Sequence, residues 1–468
     1  MTRDRDPIDV TARDRFGVQR LRDGQRASIR HLVEGRDVMT LMPTGAGKSL
    51  TYQVAAQLAG GPALVIEPLL ALIRDQLNAL AALGVPAAEI TGRTGRRALT
   101  RTLDAMADGD LRLVYTTPER LEDETLCERL AGRRIGLLAV DEAHCISQWG
   151  RGFRPAYMRL GGLAERLGRP PVQALTATAT PFVRQDIIRN LGLRDPVVVA
   201  EGNDRPNLFL EVRWIDDEPQ DRQALAGLIE HPDFAGPGII YTRTTSAARE
   251  TAGWLQEAGI PVGVYYGRLP RRKRDEVQRA FLEGDIRAVA ATNAFGLGVD
   301  KPDVRWVIHR DVPATVEAYW QEAGRAGRDG APARCVLLYR PGDLGAAAFL
   351  SSAGGDDARE ERQRGLLEMM RTYAETDACR RRYILNYLGE EYDPARCAMC
   401  DNSMRASPEP ERAPERAPFA QGMAVHHERF GDGTVQRVTA RTVTVLFDHG
   451  VYRRLALDLA AAGRLRPA

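Results

Sequence analysis

The residues with the clearest chemical potential form a glycine-rich loop between an apolar run and a helical one. Asp37–Met42 has the pattern of a short buried strand and Leu50–Leu58 that of a helix. The loop between them contains Thr44, Gly45, Ala46, Gly47, Lys48 and Ser49. In such a loop, backbone N–H groups face nucleotide phosphates, the lysine reaches the β- and γ-phosphates, and the serine hydroxyl ligates Mg²⁺. The loop therefore predicts a nucleotide site, with a purely structural turn as the alternative.

Two adjacent carboxylates follow another apolar run. Ile135–Val140 has the pattern of a strand, and Asp141 and Glu142 come directly after it. Because α/β sheets bind ligands at the carboxyl ends of their strands, Asp141 is suited to hold Mg²⁺ and Glu142 to polarise an attacking water. An Asp-Glu pair alone is usually the start of a solvated loop. Together with the upstream loop, it predicts the Walker-B element of an ATPase.

Length and composition limit the class of protein. A chain of 468 residues suggests roughly three domains. Hydrophobic residues at 44% and charged residues at 27% exclude a mainly disordered chain. The chain has no apolar run of the roughly eighteen residues that a membrane helix needs, and its N-terminus lacks the apolar core of a signal peptide. We therefore expect a cytoplasmic protein that makes no contact with membranes.

Charge and cysteine content narrow the chemistry further. The net charge is only +2, so nucleic-acid binding would depend on local basic patches. Six cysteines in so long a chain do not form a disulfide framework. We expect reduced thiols, some of them as metal ligands.

A series of motifs follows in order along residues 16–400: Phe16-Gly17 with Leu21–Gln25, Met42–Ser49, Glu67–Gln76, Thr117–Leu121, Asp141–Gly150, Ala174–Thr180, Ala290–Lys301 and Gln321–Gly330. Their order resembles that of the RecQ-type DNA helicases of superfamily 2. The resemblance implies an α/β fold class with two RecA-like lobes that hold ATP and Mg²⁺ and act on DNA. A helical, zinc-binding module is expected to follow the lobes.

The resemblance assigns nucleotide contacts to both lobes. Arg22 would stack on adenine, and Gln25 would hydrogen-bond the edge of the base. Gln321, Arg325 and Arg328 would act from the second lobe, with Arg328 as the arginine finger on the γ-phosphate and Arg325 as its support. The two arginines are three residues apart, which on a helix places them on one face. A solvated basic helix is the alternative.

DNA contacts are implied by the residues that follow the Asp141–His144 box. Trp149 and Phe153 suit stacking on single-stranded bases, although both could instead fill the core. Arg151 and Arg154 suit phosphate contacts, and Thr176 lies in a motif thought to couple the ATP state to DNA grip. Relatives usually have His-Asp where this chain has Arg151-Gly152. A weaker or differently gated dependence of ATP hydrolysis on DNA is therefore expected.

A cysteine pattern after the lobes resembles the RecQ zinc module. Its residues are Cys379, Cys397 and Cys400, with Ser403 at the position of the family's fourth cysteine. Structural zinc requires four ligands. The fourth could be water or Asp401, or a distant residue such as His426 or His427; alternatively the site is lost and the thiols pack together. Arg380–Arg382 could contact DNA phosphates or form a solvated helix end.

The C-terminal part resembles a different module. Ser407–Pro418 is a Pro/Glu/Arg linker, and Gly422–Val435, Thr442–Phe447 and Val451–Leu455 have the alternation and turns of a small β-barrel. The pattern resembles the Tudor/SH3-like tail of UvrD/PcrA-type helicases, which docks proteins. The implied partner is RNA polymerase or a repair factor, and a barrel that only stabilises its own chain is the alternative.

These observations predict five regions and one activity. The regions are lobe 1 over 1–203, lobe 2 over 204–343, a helical and zinc-module-like region over 344–403, a linker over 404–420 and a barrel over 421–468. The expected activity is that of an ATP-dependent 3′–5′ DNA helicase or translocase in repair or recombination. Its substrates would be single-stranded and tailed duplex DNA. An RNA helicase and an ATP-switched clamp or adaptor without processive unwinding are the alternatives.

Overall fold

Two parallel sheets organise the fold, one in each of the units into which the chain divides, Met1–Asn203 and Asp204–Ala468. The structure is a computed structural model. It describes residues 6–43, 45–147, 154–215, 218–295, 301–340, 342–343, 357–392, 397–405, 419, 423–438, 442–447, 452–457 and 464–467.

Seven parallel strands form the sheet in the described part of the first unit. They are β1 (Val38–Leu41), β2 (Ala63–Ile66), β3 (Ala87–Ile90), β4 (Leu113–Thr116), β5 (Leu137–Val140), β6 (Val172–Thr176) and β7 (Val197–Ala200). Their order is β3-β4-β2-β5-β6-β1-β7. The inner strands are buried along their whole length, as expected of a parallel sheet covered on both faces. The strands predicted at Asp37–Met42 and Ile135–Val140 are confirmed as β1 and β5.

Helices cover this sheet. They are Pro7–Phe16, Asp23–Val33, Lys48–Leu58, Leu70–Ala82, Arg96–Asp108, Glu124–Ala131, Pro155–Met158, Leu163–Arg166 and Pro181–Leu191. Because β1 and β5 are parallel and separated only by β6, the loops that follow them lie at the same edge of the sheet. The glycine-rich loop and the Asp141-Glu142 pair are thus brought to one place.

The second unit contains another parallel α/β sheet. Its strands within the described residues are β8 (Leu208–Trp214), β9 (Gly238–Tyr241), β10 (Val262–Tyr265), β11 (Ala288–Ala291), β12 (Trp306–His309) and β13 (Ala333–Tyr339), in the order β10-β11-β9-β12-β13-β8. The accompanying helices are Glu218–Glu230, Thr245–Glu257, Arg271–Glu283 and Val316–Ala323. Both sheets confirm the predicted fold class.

A helical region follows and packs against β8. Its helices are Asp357–Glu375, Arg380–Tyr387 and Asp401–Met404. The backbone N–H of Leu210 donates to the carbonyl of Met399 at 3.1 Å, and a parallel bridge joins Leu210 to Cys400. The cysteine-containing region is therefore attached to the edge strand of the second sheet.

The C-terminal region is an antiparallel half-barrel sheet. Its strands are β14 (Ala424–His427), β15 (Gly431–Val438), β16 (Thr442–Phe447), β17 (Tyr452–Ala456) and β18 (Leu465–Pro467), in the order β17-β16-β15-β14-β18. Val425, Val435, Val443, Val445 and Phe447 form its core. The strands predicted from alternation are confirmed, whereas the likeness to UvrD/PcrA tails stays a prediction.

Some predicted residues lie outside the described part of the chain. They are Thr44, Trp149, Arg151, Phe153, the motif residues 296–300 and the linker residues 406–418. Among the helices that are described, none combines the length and the apolar character needed to cross a membrane.

Candidate active site

The glycine-rich loop joins β1 to the N-terminus of the helix Lys48–Leu58. Gly45 and Gly47 have φ angles of +83° and +76°, which favour glycine because it has no Cβ. Gly47 is also the N-cap residue of the helix, so the N–H groups of the first helical turn face the loop. The Lys48 ammonium donates a hydrogen bond to the carbonyl of Met42 at 3.2 Å. The Lys48 side chain therefore contacts the start of its own loop, at Met42.

Gln25 supports this loop from the preceding helix. Its Oε1 accepts a hydrogen bond from the backbone N–H of Arg22 at 3.0 Å, and its Nε2 donates to the carbonyls of Ala46 and Gly47 at 2.9 and 3.2 Å. A Cβ at Gly47 would lie 2.6 Å from Gln25 Nε2 and would displace the amide from the loop. Arg22 is exposed at the start of the helix. Gln25 is thus placed beside the loop, but with its amide committed to the loop backbone.

The paired carboxylates follow β5 at the same edge of the sheet. The backbone N–H of Glu142 donates to Asp141 Oδ1 at 2.8 Å, and Glu142 has a φ of +47°. This left-handed conformation is uncommon for a residue with a side chain, and such residues are enriched at functional sites. Tyr157 Oη donates to the carbonyl of Asp141 at 2.9 Å and fixes the turn from the other side.

Burial and charge together set the protonation of this group. Burial first, and then the Glu142 carboxylate, raise the pKa of Asp141 to about 6 against the opposing effect of the Lys48 ammonium. Burial also raises the pKa of Glu67 well above its usual value, with Asp141 and Glu142 adding to the effect. A desolvated group of carboxylates favours a bound cation, and the oxygens of Ser49 and Asp141 are of the kind that Mg²⁺ prefers.

Glu67 was not predicted as part of this site. The sequence places it at the start of the Glu67–Gln76 motif, directly after β2. In the structure its side chain is only 2% exposed, and its Oε1 accepts a hydrogen bond from the backbone N–H of Leu69 at 3.1 Å. The available signal was its position after β2, which pairs directly with β5.

His144 links the carboxylates to the motif that ends β6. Its Nδ1 lies 2.9 Å from Thr176 Oγ1 and 3.2 Å from Glu142 Oε2. Burial disfavours the charged ring, but the Cys145 thiol and the Glu142 carboxylate together raise the pKa of His144 to about 10. Thr176 is fully buried and donates to the carbonyl of Thr178 at 3.1 Å. This burial favours a positioning role for Thr176 over the direct DNA contact expected from the sequence.

Arg154 connects two loops that follow neighbouring strands. Its Nη1 donates to the carbonyl of Pro68, after β2, at 3.0 Å and to Glu119, after β4, at 3.4 Å. About a third of the Arg154 side chain is exposed. Arg154 therefore lies where the Glu67–Gln76 and Thr117–Leu121 motifs meet, and its contact with DNA stays a prediction.

The predicted arginine pair lies on a turn of the second unit. The helix Val316–Ala323 ends before Arg325, so the expectation that Arg325 and Arg328 share a helical face is wrong. Gly327 has a φ of +57° and bends the chain between them. Arg325 is buried and Arg328 half-buried, while Gln321 is half-buried on the last turn of the helix.

Arg205 and Asn207 hold this turn in place, and neither was predicted as a site residue. The Arg205 guanidinium donates to the carbonyls of Gly324, Ala326 and Gly327 at 2.7–2.8 Å. The Asn207 amide donates to the carbonyl of Gly327 at 2.9 Å. All these hydrogen bonds are accepted by backbone carbonyls. They therefore fix the backbone path of the turn independently of its side chains.

Three thiols meet at the start of the helix Arg380–Tyr387. The sulfur atoms of Cys379, Cys397 and Cys400 lie within 4.8 Å of one another, with 3.9 Å between Cys379 and Cys400. Zn–S bonds of ~2.3 Å in a tetrahedron place sulfur atoms ~3.8 Å apart, so the cluster fits zinc. Ser403 Oγ lies 3.1 Å from Cys400 Sγ. The sequence therefore predicted three of the residues at this site correctly.

Comparisons with known proteins agree with this geometry. Three family models match in order: DEAD/DEAH box helicase over residues 22–187, helicase conserved C-terminal domain over 221–330 and RecQ zinc-binding over 341–404. The chain is 36% identical over 434 residues to the ATP-dependent DNA helicase RecQ of Bacillus subtilis, covering 91% of this chain and 71% of that protein. The chain belongs to the RecQ family of ATP-dependent DNA helicases.

Further comparisons set the extent of the likeness. The RecQ helicase of Pasteurella multocida is 36% identical over 387 residues, which span 82% of this chain and 60% of the relative. Among solved structures, the DUF1998 helicase MrfA bound to DNA matches with a TM-score of 0.60 at 21% identity, over 74% of this chain and 50% of that one. At that identity the structural match shows the fold alone.

The RecQ zinc-binding region also corrects one prediction. Arg380 and Arg381 are 3% and 1% exposed, so for these two residues both alternatives, a contact with DNA phosphates and a solvated helix end, are wrong. Arg380 forms a two-pronged ion pair with Asp401 at 2.5 and 2.9 Å. Arg381 pairs with Asp204 and donates to the carbonyl of Arg205 at 2.7 Å. Arg380 therefore joins parts of the zinc-binding region to each other, whereas Arg381 attaches this region to the segment that holds the arginine turn.

Proposed function

We propose that this RecQ helicase couples ATP hydrolysis to 3′–5′ movement along single-stranded DNA and separates tailed duplexes in repair or recombination. The observation that carries the proposal is the gathering of Lys48, Asp141 and Glu142 at the carboxyl edge of one RecA-like sheet. A second RecA-like sheet follows in the same chain, together with the turn of Arg325 and Arg328 that Arg205 holds by hydrogen bonds. The carboxyl-edge residues of the first sheet and the arginine turn of the second unit are the groups that ATP-driven movement requires.

In this proposal the first unit binds the nucleotide. Residues Thr44–Ser49 surround the phosphates, and the Lys48 ammonium exchanges the Met42 carbonyl for phosphate oxygens. Ser49 and Asp141 would hold Mg²⁺, which when bound would neutralise charge on the phosphate oxygens. Glu142 accepts a proton from the attacking water and holds it in line with the γ-phosphate. Arg22 stacks on the base, and the Gln25 amide exchanges its hydrogen bonds with the loop backbone for the edge of the base.

The second unit contributes the groups that stabilise the transition state. Arg328 is the arginine finger, and the more deeply buried Arg325 supports it, with Gln321 contacting the nucleotide from the last helical turn. Arg205 and Asn207 hold the backbone of this turn in position. Hydrolysis removes the γ-phosphate on which Arg328 is proposed to act.

DNA binding is proposed for the loops at the edge of the first sheet. Trp149 and Phe153 stack on bases, while Arg151 and Arg154 contact phosphates. The contact of His144 with both Glu142 and Thr176 supports a path by which DNA binding reaches the catalytic carboxylate.

The remaining regions have proposed roles as well. We propose the domain boundaries 1–203, 204–343, 344–403, 404–420 and 421–468, with zinc held by Cys379, Cys397 and Cys400. The C-terminal sheet is proposed to dock a protein such as RNA polymerase or a repair factor. Its compact apolar core supports a self-contained module.

A strand-displacement assay tests the proposed activity. With ATP and Mg²⁺, the full chain should separate 3′-tailed DNA duplexes but neither 5′-tailed DNA nor RNA duplexes. The Lys48→Ala variant should separate none, because it lacks the ammonium that holds the β- and γ-phosphates. Hydrolysis without displacement would instead indicate an ATP-switched clamp, and faster action on RNA an RNA helicase.

A further inference from the structure

The thiol cluster supplies one ligand fewer than a closed structural zinc site uses. Within the part of the chain that the structure describes, only Cys379, Cys397 and Cys400 bring metal-ligating His, Cys, Asp or Glu atoms together at this place. The fourth position must therefore be filled by something other than these side chains. The neighbouring groups decide what that is.

The nearest carboxylate is committed elsewhere. Both Asp401 oxygens accept hydrogen bonds from the Arg380 guanidinium, at 2.5 and 2.9 Å, and Oδ2 also accepts from the backbone N–H of Val212 at 3.1 Å. Moving Asp401 onto a metal would leave Arg380, which is 3% exposed, without its counter-ion. The suggestion that Asp401 is the fourth ligand is therefore not supported.

The two candidate histidines lie on the C-terminal sheet and have partners there. His426 Nδ1 is 2.6 Å from Asp432 Oδ1. The His427 ring stacks on Phe430 at 4.6 Å between centroids, and its Nδ1 accepts from the backbone N–H of Arg429 at 3.0 Å. Neither histidine belongs to the thiol cluster.

Two hydroxyl groups border the thiols instead. Ser403 Oγ lies 3.1 Å from Cys400 Sγ, accepts from the backbone N–H of Cys400 at 3.2 Å and lies 3.0 Å from the Cys400 carbonyl. The Tyr392 hydroxyl makes a hydrogen bond with Cys397. Neutral hydroxyls are weak ligands beside thiolates but good hydrogen-bond partners for a metal-bound water.

We propose that this zinc centre has three thiolate ligands and an exchangeable fourth position, bordered by Ser403 and Tyr392. That position holds water and accepts a small neutral nitrogen ligand from solution. Three protein ligands with one open position are typical of catalytic zinc sites, whereas structural sites are closed. Cys379 and Cys397 are both partly exposed, so a small ligand can reach the cluster.

Cobalt substitution of the full chain tests this proposal. Co²⁺ replaces zinc in the protein, a phosphine keeps the thiols reduced, and imidazole is the added ligand. We expect imidazole to shift the visible Co²⁺ bands of the wild-type chain saturably. Ser403→Cys should add a thiolate, strengthen the sulfur-to-cobalt charge-transfer band and abolish the imidazole response. Its zinc affinity in chelator competition should rise by at least about tenfold.

The matched control is Ser403→Ala, which keeps the three thiolates and should respond to imidazole like the wild type. It also keeps the test decisive should Ser403→Cys fail to fold, which circular dichroism would reveal. The proposal is overturned if wild-type Co²⁺ bands ignore imidazole, if the folded Ser403→Cys variant has unchanged bands, or if the wild-type chain binds no metal. None of these readouts depends on helicase activity.

Discussion

The Arg328→Ala variant should have a kcat for DNA-stimulated ATP hydrolysis that is lower by about 10³-fold or more, because an arginine finger stabilises charge that develops in the transition state. The affinity for ADP should change little, since the groups proposed to hold the diphosphate, such as Lys48, belong to the first unit. Steady-state ATPase kinetics together with equilibrium binding of a fluorescent ADP measure both quantities.

Two further variants show whether the effect belongs to the arginine turn. Arg205→Ala removes bonds to three carbonyls of the turn and should lower kcat by about 10²-fold by misplacing Arg328. Arg213→Ala removes a partly exposed arginine that pairs with Glu211 and should leave kcat within about twofold. Equal losses in Arg328→Ala and Arg213→Ala would rule out a specific role for Arg328.

Glu142→Gln should reduce kcat by about 10²- to 10⁴-fold while ATP stays bound, because the amide cannot accept the proton of the attacking water. The left-handed φ of Glu142 and its contact with His144 fix the position of the carboxylate. Rapid-quench measurement of a single turnover separates the chemical step from ATP binding and product release.

The comparison variant is Glu128→Gln, which makes the same chemical change on an exposed position of the helix Glu124–Ala131. Its single-turnover rate should match the wild type. Normal hydrolysis by Glu142→Gln would mean that another group activates the water, and the buried Glu67 would be the first to examine.

The site residues that lie directly after a β-strand could be predicted from the sequence. Apolar runs mark β1 and β5, and a parallel sheet brings the ends of such strands to one edge, so Lys48 and Asp141 had to meet there. The family resemblance carried by the motif order also implied the two RecA-like lobes and the cysteine cluster.

Contacts made by charged residues at a distance could not be predicted in this way. Arg380 and Arg381 were expected at a solvated or DNA-facing surface because charged residues are seldom buried. Partners 21 and 177 residues away along the chain neutralise them, and no local pattern marks such pairs. Arg205 was missed for the same reason, because the Gly324 carbonyl to which it donates lies 119 residues away along the chain.

The error over Arg325 and Arg328 has a local cause. A three-residue spacing indicates a shared face only on a helix, and the helix ends at Ala323. Gly324 and Gly327 were the available signal, since glycine favours helix ends and Gly327 has a left-handed φ. A Cβ at Gly327 would overlap the Asn207 amide and the Ala331 carbonyl, so the turn requires glycine there.

Trapping of ADP with aluminium fluoride tests most directly whether groups from both units act on one nucleotide. The full chain is incubated with single-stranded DNA, labelled ADP and aluminium fluoride, and the nucleotide that survives gel filtration is counted. We predict stoichiometric ADP in the wild type, almost none in Lys48→Ala, and loss of the trapped state in Arg328→Ala despite normal binding of ADP alone. Wild-type trapping by Arg328→Ala would contradict the account.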